Sequence, residues 1–309
     1  MANDMIHIVC NIDNNYVKHC CAMLSSLFSN NKEKFHIHII TDNLNENLRN
    51  KLQTFVEDEF KNQLSIYSVG QELINKCPES HCSHITVASF YRCFVADLLH
   101  QSISKVLFLD CDLIVNGSII DLWNTDISNY AVGVVEDQWS SITEYYTRLD
   151  IPETYSYFNA GVMLINLDYW RKYNIGAAVL EYVKMYPERL RFYDQDVLNA
   201  LLHKQRLFIP HRWNYQDGFF RRKRKCRQES MSEIDKEMSH AVIIHFTGGK
   251  KPWNPKCMHP LKNLYFKYLD LTSWKGERPK IKLSIRINKP FLKIQSYLGL
   301  KNGYRKVRR

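Results

Sequence analysis

Two aspartates, Asp110 and Asp112, stand two positions apart directly after the apolar run Val106–Leu109. The run reads as a short strand. Residues two apart in an extended chain face the same side, so both carboxylates share one spot while Cys111 turns to the opposite face. Two carboxylates on one spot repel unless a cation joins them. A divalent ion held there could bridge to a diphosphate and neutralise its charge as it leaves. Ligands of open α/β sheets gather just beyond the carboxyl ends of strands, where this pair falls. Two loop acids in a solvated turn are the structural alternative.

A second cluster is His245 at the end of the run Val242–Phe246, followed by Thr247-Gly248-Gly249-Lys250-Lys251-Pro252-Trp253. The glycines let the backbone approach a ligand, and the lysines supply charge for phosphate. Two carboxylates and an imidazole suit Mn²⁺ or Mg²⁺, the nitrogen favouring Mn²⁺. A third cluster, Asn11-Ile12-Asp13-Asn14-Asn15-Tyr16, follows the first apolar run and either caps a helix or holds a base and ribose. There is no Gly-x-Gly-x-x-Gly and no Walker loop, so a dinucleotide or P-loop protein lacks its phosphate cradle.

These residues need strands to position them. Short apolar runs at Ile6–Cys10, Phe35–Ile40, Leu64–Val69 and Val106–Leu109 alternate with helix-period segments, among them Val17–Phe28, Leu44–Val56 and Thr86–Leu99. Further strands are expected near Val132–Val135, Gly161–Ile165 and Ala241–Phe246, and helices near Gly176–Met185 and Asp194–Leu202. The pattern predicts an α/β fold with a mainly parallel sheet covered by helices. On the helix from Thr86, Arg92 shares a face with Ala88 and points inward, where a buried guanidinium needs an anion.

The chain of 309 residues carries a net charge of +10, but from Lys275 to Arg309 it holds twelve basic residues against Glu277 alone, which leaves the first 274 residues near −1. A near-neutral body argues against nucleic acid as a partner. The expected division is a catalytic body, 1–274, and a basic extension, 275–309. In the extension, Ile281, Leu283, Ile285 and Ile287 alternate with polar and basic residues, and Phe291, Ile294 and Leu298 fall at helical spacing. That mixture suits an anionic membrane surface, with an edge strand on the body as the alternative. Nine cysteines without a regular spacing, no leader-like start and no long apolar run point to a reducing, cytoplasmic setting on the inner face of the membrane.

These blocks resemble glycosyltransferase family 8, and within it the bacterial lipopolysaccharide α-galactosyl- and α-glucosyltransferases. The resemblance runs collinearly over about the first 255 residues. It includes Asp13–Tyr16, His84-Ile85-Thr86 with Tyr91-Arg92, Leu107–Asp112, Asp121-Leu122-Trp123, Tyr157–Val162 with Asn166-Leu167 and Trp170, Asp194–Asn199, and Gly248–Trp253. It implies a single nucleotide-sugar-binding GT-A, Rossmann-like domain with a mixed, mainly parallel sheet. It also implies a UDP-hexose donor, Mn²⁺ with Mg²⁺ as the alternative, an oligosaccharide or lipid-linked glycan acceptor, and transfer with retention. By position, Asp110, Asp112 and His245 match metal ligands. Asn11, Asp13, Asn15, Asp110, Gly248 and Lys251 match UDP contacts, and Arg92, Asn159, Asp194 and Gln195 match residues around the donor sugar. Gln195 falls beneath the reacting carbon, with Asp194 beside it and Asp196 as a covalent candidate that would have to reorient. A non-catalytic nucleotide-sugar or membrane-surface binding protein on the same fold is the competing reading.

Overall fold

The computed structural model describes residues 5–77 and 87–280, together with residues 290, 295 and 301–307. The strands are β1 (Ile6–Asn11), β2 (Phe35–Thr41), β3 (Gln63–Ser68), β4 (Lys105–Leu109), β5 (Leu113–Val115), β6 (Val132–Glu136), β7 (Phe158–Asn166), β8 (Arg206–Phe208), β9 (Tyr215–Gln216) and β10 (Ile243–His245). Seven of them form one sheet in the order β3-β2-β1-β4-β7-β6-β8. Strands β3, β2, β1 and β4 run parallel, β7 is antiparallel to both β4 and β6, and β8 is parallel to β6. The sheet is mixed and mainly parallel, as expected. A small second sheet, β5-β10-β9, takes the chain just after the aspartate pair.

Strand alternation builds two cores. Ile6, Ile8 and Cys10 turn to one face and pack with the helix Val17–Asn30, whereas Val9, Ile40 and Phe108 turn to the other and pack with Val95, Trp170 and Val197. Asp13 starts the first helix, its Oδ1 accepting from the amides of Asn15 and Tyr16 at 2.9 and 3.0 Å.

Two expectations are corrected here. The segment read as one helix from Thr86 to Leu99 is a 3₁₀ helix over Val87–Phe94, followed by a single α turn, Val95–Leu98. A three-residue period aligns Arg92 with Ser89 and Val95 rather than with Ala88. From this helix the Arg92 guanidinium donates to Ser89 O, three residues back, and to Ala160 O of β7. The far end of the basic extension is not an appendage either. The Arg222 amide donates to Gly303 O, the Arg305 amide donates to Phe220 O, and Arg221 pairs with Tyr304 as a β-bridge. The alternating stretch after Lys280 and most of the apolar spacing after Pro290 lie outside the described residues. Among the described residues, no helix is long and apolar enough to cross a membrane, and the cysteines, eight of the nine, are free and buried.

Candidate active site

The aspartate pair sits where the chain leaves one sheet for the other. β4 ends at Leu109, residues 110–112 form a turn, and β5 begins at Leu113. Three registers then converge on the turn. β5 pairs with β10 so that His245 lies opposite Leu113. The Phe246 amide donates to Asp112 O at 3.0 Å, and the Asp110 amide donates to Gly161 O of β7 at 2.8 Å. His245 Nε2 stands 3.1 Å from Asp112 Oδ1 and 3.7 Å from Asp110 Oδ2. The element is a turn rather than a continued strand, yet the alternation holds, because Cys111 lies on the far side with its sulfur against Asn11 O. Gly161 is required for this approach: a Cβ there would stand 2.6 Å from Asp110 Oδ2 and would also strike the His245 ring.

A chain of amides sets the tautomer of His245. The Gly161 backbone amide can only donate, and it gives to Asn159 Oδ1 at 3.1 Å. Asn214 Nδ2 donates to the same oxygen at 2.8 Å, which turns Asn214 Oδ1 toward His245 Nδ1 at 2.9 Å. That oxygen can only accept, so Nδ1 donates to it, and Nε2 is turned toward the two carboxylates. Two carboxylates converging on one spot call for a cation. Lys251 answers that demand here, its ammonium pairing with Asp112 Oδ2 and donating to Phe246 O at 3.0 Å. Burial pushes the Asp112 carboxyl up, but Lys251 and His245 outweigh it and hold it well below the usual carboxylate range. Two carboxylate oxygens and an imidazole nitrogen are a donor set that fits a divalent ion.

Arg92 lies beneath the pair. It is buried, 2.8 Å from Asp110 Oδ1 and 3.0 Å from Asp194 Oδ2, over the Phe108 ring. Its charge partners are therefore Asp110 and Asp194 rather than surface acids. Asp194 is pushed up to about 6 by burial, with Asp110 adding to the rise and Arg92 opposing it. The residue before it, Tyr193, holds a left-handed φ of 46° at the entrance to the helix Asp194–Leu202. Backbone of this kind is held by its surroundings, and it sets the direction in which Asp194 and Gln195 enter the site. Gln195 is oriented by the Ala160 amide, which donates to its Oε1 at 3.1 Å, as does Asn159 Nδ2. Its own Nε2 donates to Asp137 Oδ2 at 3.3 Å.

Asp196 lies elsewhere. Fully buried, its oxygens accept from Arg148, from Tyr157 OH at 2.8 Å and from the amides of Arg191 and Phe192 at 2.7 and 2.6 Å. Residues two apart on a helix are about 200° apart, so Asp194 and Asp196 look in opposite directions. Among the uridine-segment residues, Asn11 donates to Ala88 O, Asp13 is engaged in starting the helix, and Asn15 is exposed. Gly248 has φ 81°, a backbone conformation that glycine adopts freely and that the turn requires. The Gly248–Lys251 loop is tied down by Trp253, stacked 3.6 Å from the His19 ring.

Two residues of this site escape the sequence patterns. Asp137 directly follows β6, is 2% exposed and accepts from Asn159 and Gln195. Its position after an apolar strand is the same signal that exposes Asp110. Asn214, which fixes His245, carries no such signal. Beside the Gly248 loop opens a cavity of about 410 Å³ lined by Gln138, Trp139, Lys223, Lys225 and Lys250.

Residues 7–257 match glycosyl transferase family 8. The chain belongs to glycosyltransferase family 8. Its similarity to other members spans most of their length. It is 31% identical over 278 residues to general stress protein A of Bacillus subtilis, covering 88% of this chain and 96% of that one. It is 27% identical over 278 residues to the lipopolysaccharide 1,3-galactosyltransferase of Salmonella typhimurium, covering 88% and 80%. In fold, this family 8 chain superposes on the crystal structure of the galactosyltransferase LgtC in complex with donor and acceptor sugar analogues. That match has a TM-score of 0.79 at 22% identity and covers 91% of this chain and 99% of that one.

Proposed function

We propose that this family 8 enzyme transfers galactose or glucose from a UDP-hexose to a lipopolysaccharide or other lipid-linked glycan, with retention of the α configuration. The residues that would hold Mn²⁺, or Mg²⁺ in its place, are Asp110, Asp112 and His245. The observation that carries this reading is the convergence of His245 Nε2 and the Asp110 and Asp112 carboxylates on one spot, with a lysine ammonium paired to Asp112. A divalent ion bound there supplies positive charge to the donor diphosphate.

The chain's own residues divide the remaining tasks. Arg92 holds the Asp110 carboxylate in place. Lys251 lies one side-chain swing from a phosphate oxygen, and the turn at Gly248 brings backbone amides to the same anion. Gln195, its amide oxygen pinned by Ala160 and Asn159, stabilises positive charge as the bond from the anomeric carbon to UDP breaks. The acceptor hydroxyl then attacks on the face that UDP leaves, forming the new C–O bond and passing its proton to the departing phosphate oxygen. Asp196 is a positioning residue in this scheme, since every lone pair it offers is already directed into the protein. The cavity at Trp139 suits an acceptor sugar, with Lys223, Lys225 and Lys250 for an anionic group on it. The basic residues between Lys280 and Lys293, interleaved with isoleucine and leucine, hold the enzyme on the inner face of an anionic membrane.

Purified protein incubated with UDP-galactose or UDP-glucose, Mn²⁺ and a lipopolysaccharide-type oligosaccharide acceptor is expected to release UDP and to give an α-linked product by NMR. Gln195→Ala should slow transfer by ~10². No turnover of any UDP-hexose would overturn the donor assignment. A β-linked product would overturn retention, and a trapped glycosyl adduct on Asp196 the same-face route.

A further inference from the structure

Three histidines meet at the opposite end of the sheet from the aspartate pair. His36 and His38 lie two apart on β2 and therefore on one face, and the parallel register sets His7 of β1 directly opposite His36. That is the face of Val9 and Ile40, which carries the second core. His7 is near the start of β1 and Asn11 at its end, so about 13 Å of strand separates this cluster from the uridine segment.

The three rings are drawn together rather than merely adjacent. His7 Nδ1 stands 2.9 Å from His38 Nε2, and the His36 and His38 rings are stacked with centroids 4.1 Å apart. One ring nitrogen from each lies within 4.8 Å of the other two. His38 is wholly buried, and its remaining nitrogen, Nδ1, is held by Tyr67 OH at 3.0 Å. An outer partner on the nitrogen that points away from the cluster is the arrangement that orients metal-binding imidazoles. His7 and His36 are only partly buried, so the cluster is open to solvent on one side.

We propose that His7, His36 and His38 form a Zn²⁺ site, with its fourth position open to water. Three nitrogens bound at about 2.0–2.1 Å in a tetrahedral array stand roughly 3.4 Å apart. His7 Nδ1 and His38 Nε2 stand closer than that, so an ion enters by opening their hydrogen bond. An all-imidazole set favours Zn²⁺, whereas the carboxylate-rich set at Asp110 and Asp112 favours Mn²⁺ or Mg²⁺, so the two sites sort different ions. The bound ion staples β1 to β2 at the amino end of the sheet.

The test titrates chelator-treated Asp112→Asn protein, which lacks the other site, with Zn²⁺ by calorimetry and with Co²⁺ by visible absorption. One equivalent is expected to bind and to raise the melting temperature. Adding His36→Gln or His7→Gln, both partly exposed positions, should weaken binding at least ~100-fold and remove the thermal shift. His36→Gln in the otherwise native protein should leave donor turnover with Mn²⁺ unchanged. Undiminished Zn²⁺ binding in the histidine variants, or no tight equivalent in the parent, would overturn the site. Thiolate charge-transfer bands with Co²⁺ would move the ion to the buried Cys10, Cys20 and Cys111 and would overturn it equally.

Discussion

Two buried polar assemblies lie within this fold, and they differ in one respect. Around Asp196 and Glu136 every carboxylate oxygen is matched. Arg148, Tyr157 and two amides converge on Asp196, while Ser140, Ser156 and Ser230 donate to Glu136 beside His211. Around Asp110, Asp112 and His245 the matching is incomplete without an added cation, and a lysine is borrowed to supply it. Saturated carboxylates are structure. The unsaturated set is where a ligand gains free energy by arriving, because the desolvation of those groups has already been incurred in folding.

The contrast is sharpest at Asp112. Asp112→Asn should reduce donor turnover at least ~10³-fold while melting shifts little, since Lys251 can turn to solvent. Near-normal turnover in this variant, or in excess chelator, would break the comparison. Asp196→Asn should behave in the opposite way, losing about 3–5 kcal/mol of stability by leaving Arg148 buried against a neutral partner. In denaturant titration this appears as a lowered midpoint, with turnover of the folded fraction reduced less than ~10-fold. A catalytic loss without a stability loss would reassign Asp196 to the chemistry.

Gly161→Ala tests the approach of strand β7 without removing a charged group. The added methyl strikes the His245 ring and Asp110, so Mn²⁺ affinity is expected to fall ~10-fold, read by titration calorimetry. Unchanged affinity would mean that the ring is not held against that backbone. The smallest effect concerns His211, which stands 3.6 Å from Glu136 and 3.0 Å from Glu233. Burial lowers its pKa, but the two glutamates outweigh burial and raise it above the ordinary value. The imidazolium therefore stabilises the fold fully below the unfolded-state pKa of about 6.5, and this contribution is lost as pH rises through the higher folded value. Melting temperature should decline across that window, and His211→Gln should flatten the decline. An equal slope in both proteins would remove His211 from the saturated set.

Much of this is legible in the sequence because it depends on local periodicity. The strands that carry Asn11, Asp110 and His245 announce themselves as apolar runs, and polar residues at their ends mark the rim where ligands gather. Arg92 is legible as a buried charge but not as part of a 3₁₀ helix, and its bond to Ala160 O reaches a strand far away in sequence. Asp194 and Asp196 look alike in one dimension, and only packing against Arg148 and Tyr157 separates their directions. Asn214 is invisible because its role is to orient another side chain. The tail misleads for a different reason. Counting its charges gives a basic appendage, yet Arg305 pairs with Asp235 and Tyr304 OH donates to Asp217 Oδ1 at 2.6 Å, so charge and aromatic contacts tie it to the body.

That last contact has a thermodynamic reach of its own. Tyr304 grips Asp217 and Arg221, and Asn302 exchanges hydrogen bonds with the backbone of Lys223; Asp217, Arg221, Lys223 and Asn302 all line the 410 Å³ cavity. Whatever occupies that cavity and whatever displaces residues 302–305 are therefore linked equilibria, each altering the other by the same factor. A glycan that seats well only against the docked tail should slow amide hydrogen exchange at Arg222 and Arg305. A surface that peels the tail away should loosen the glycan to the same degree, making the chain's far end a dial on acceptor affinity.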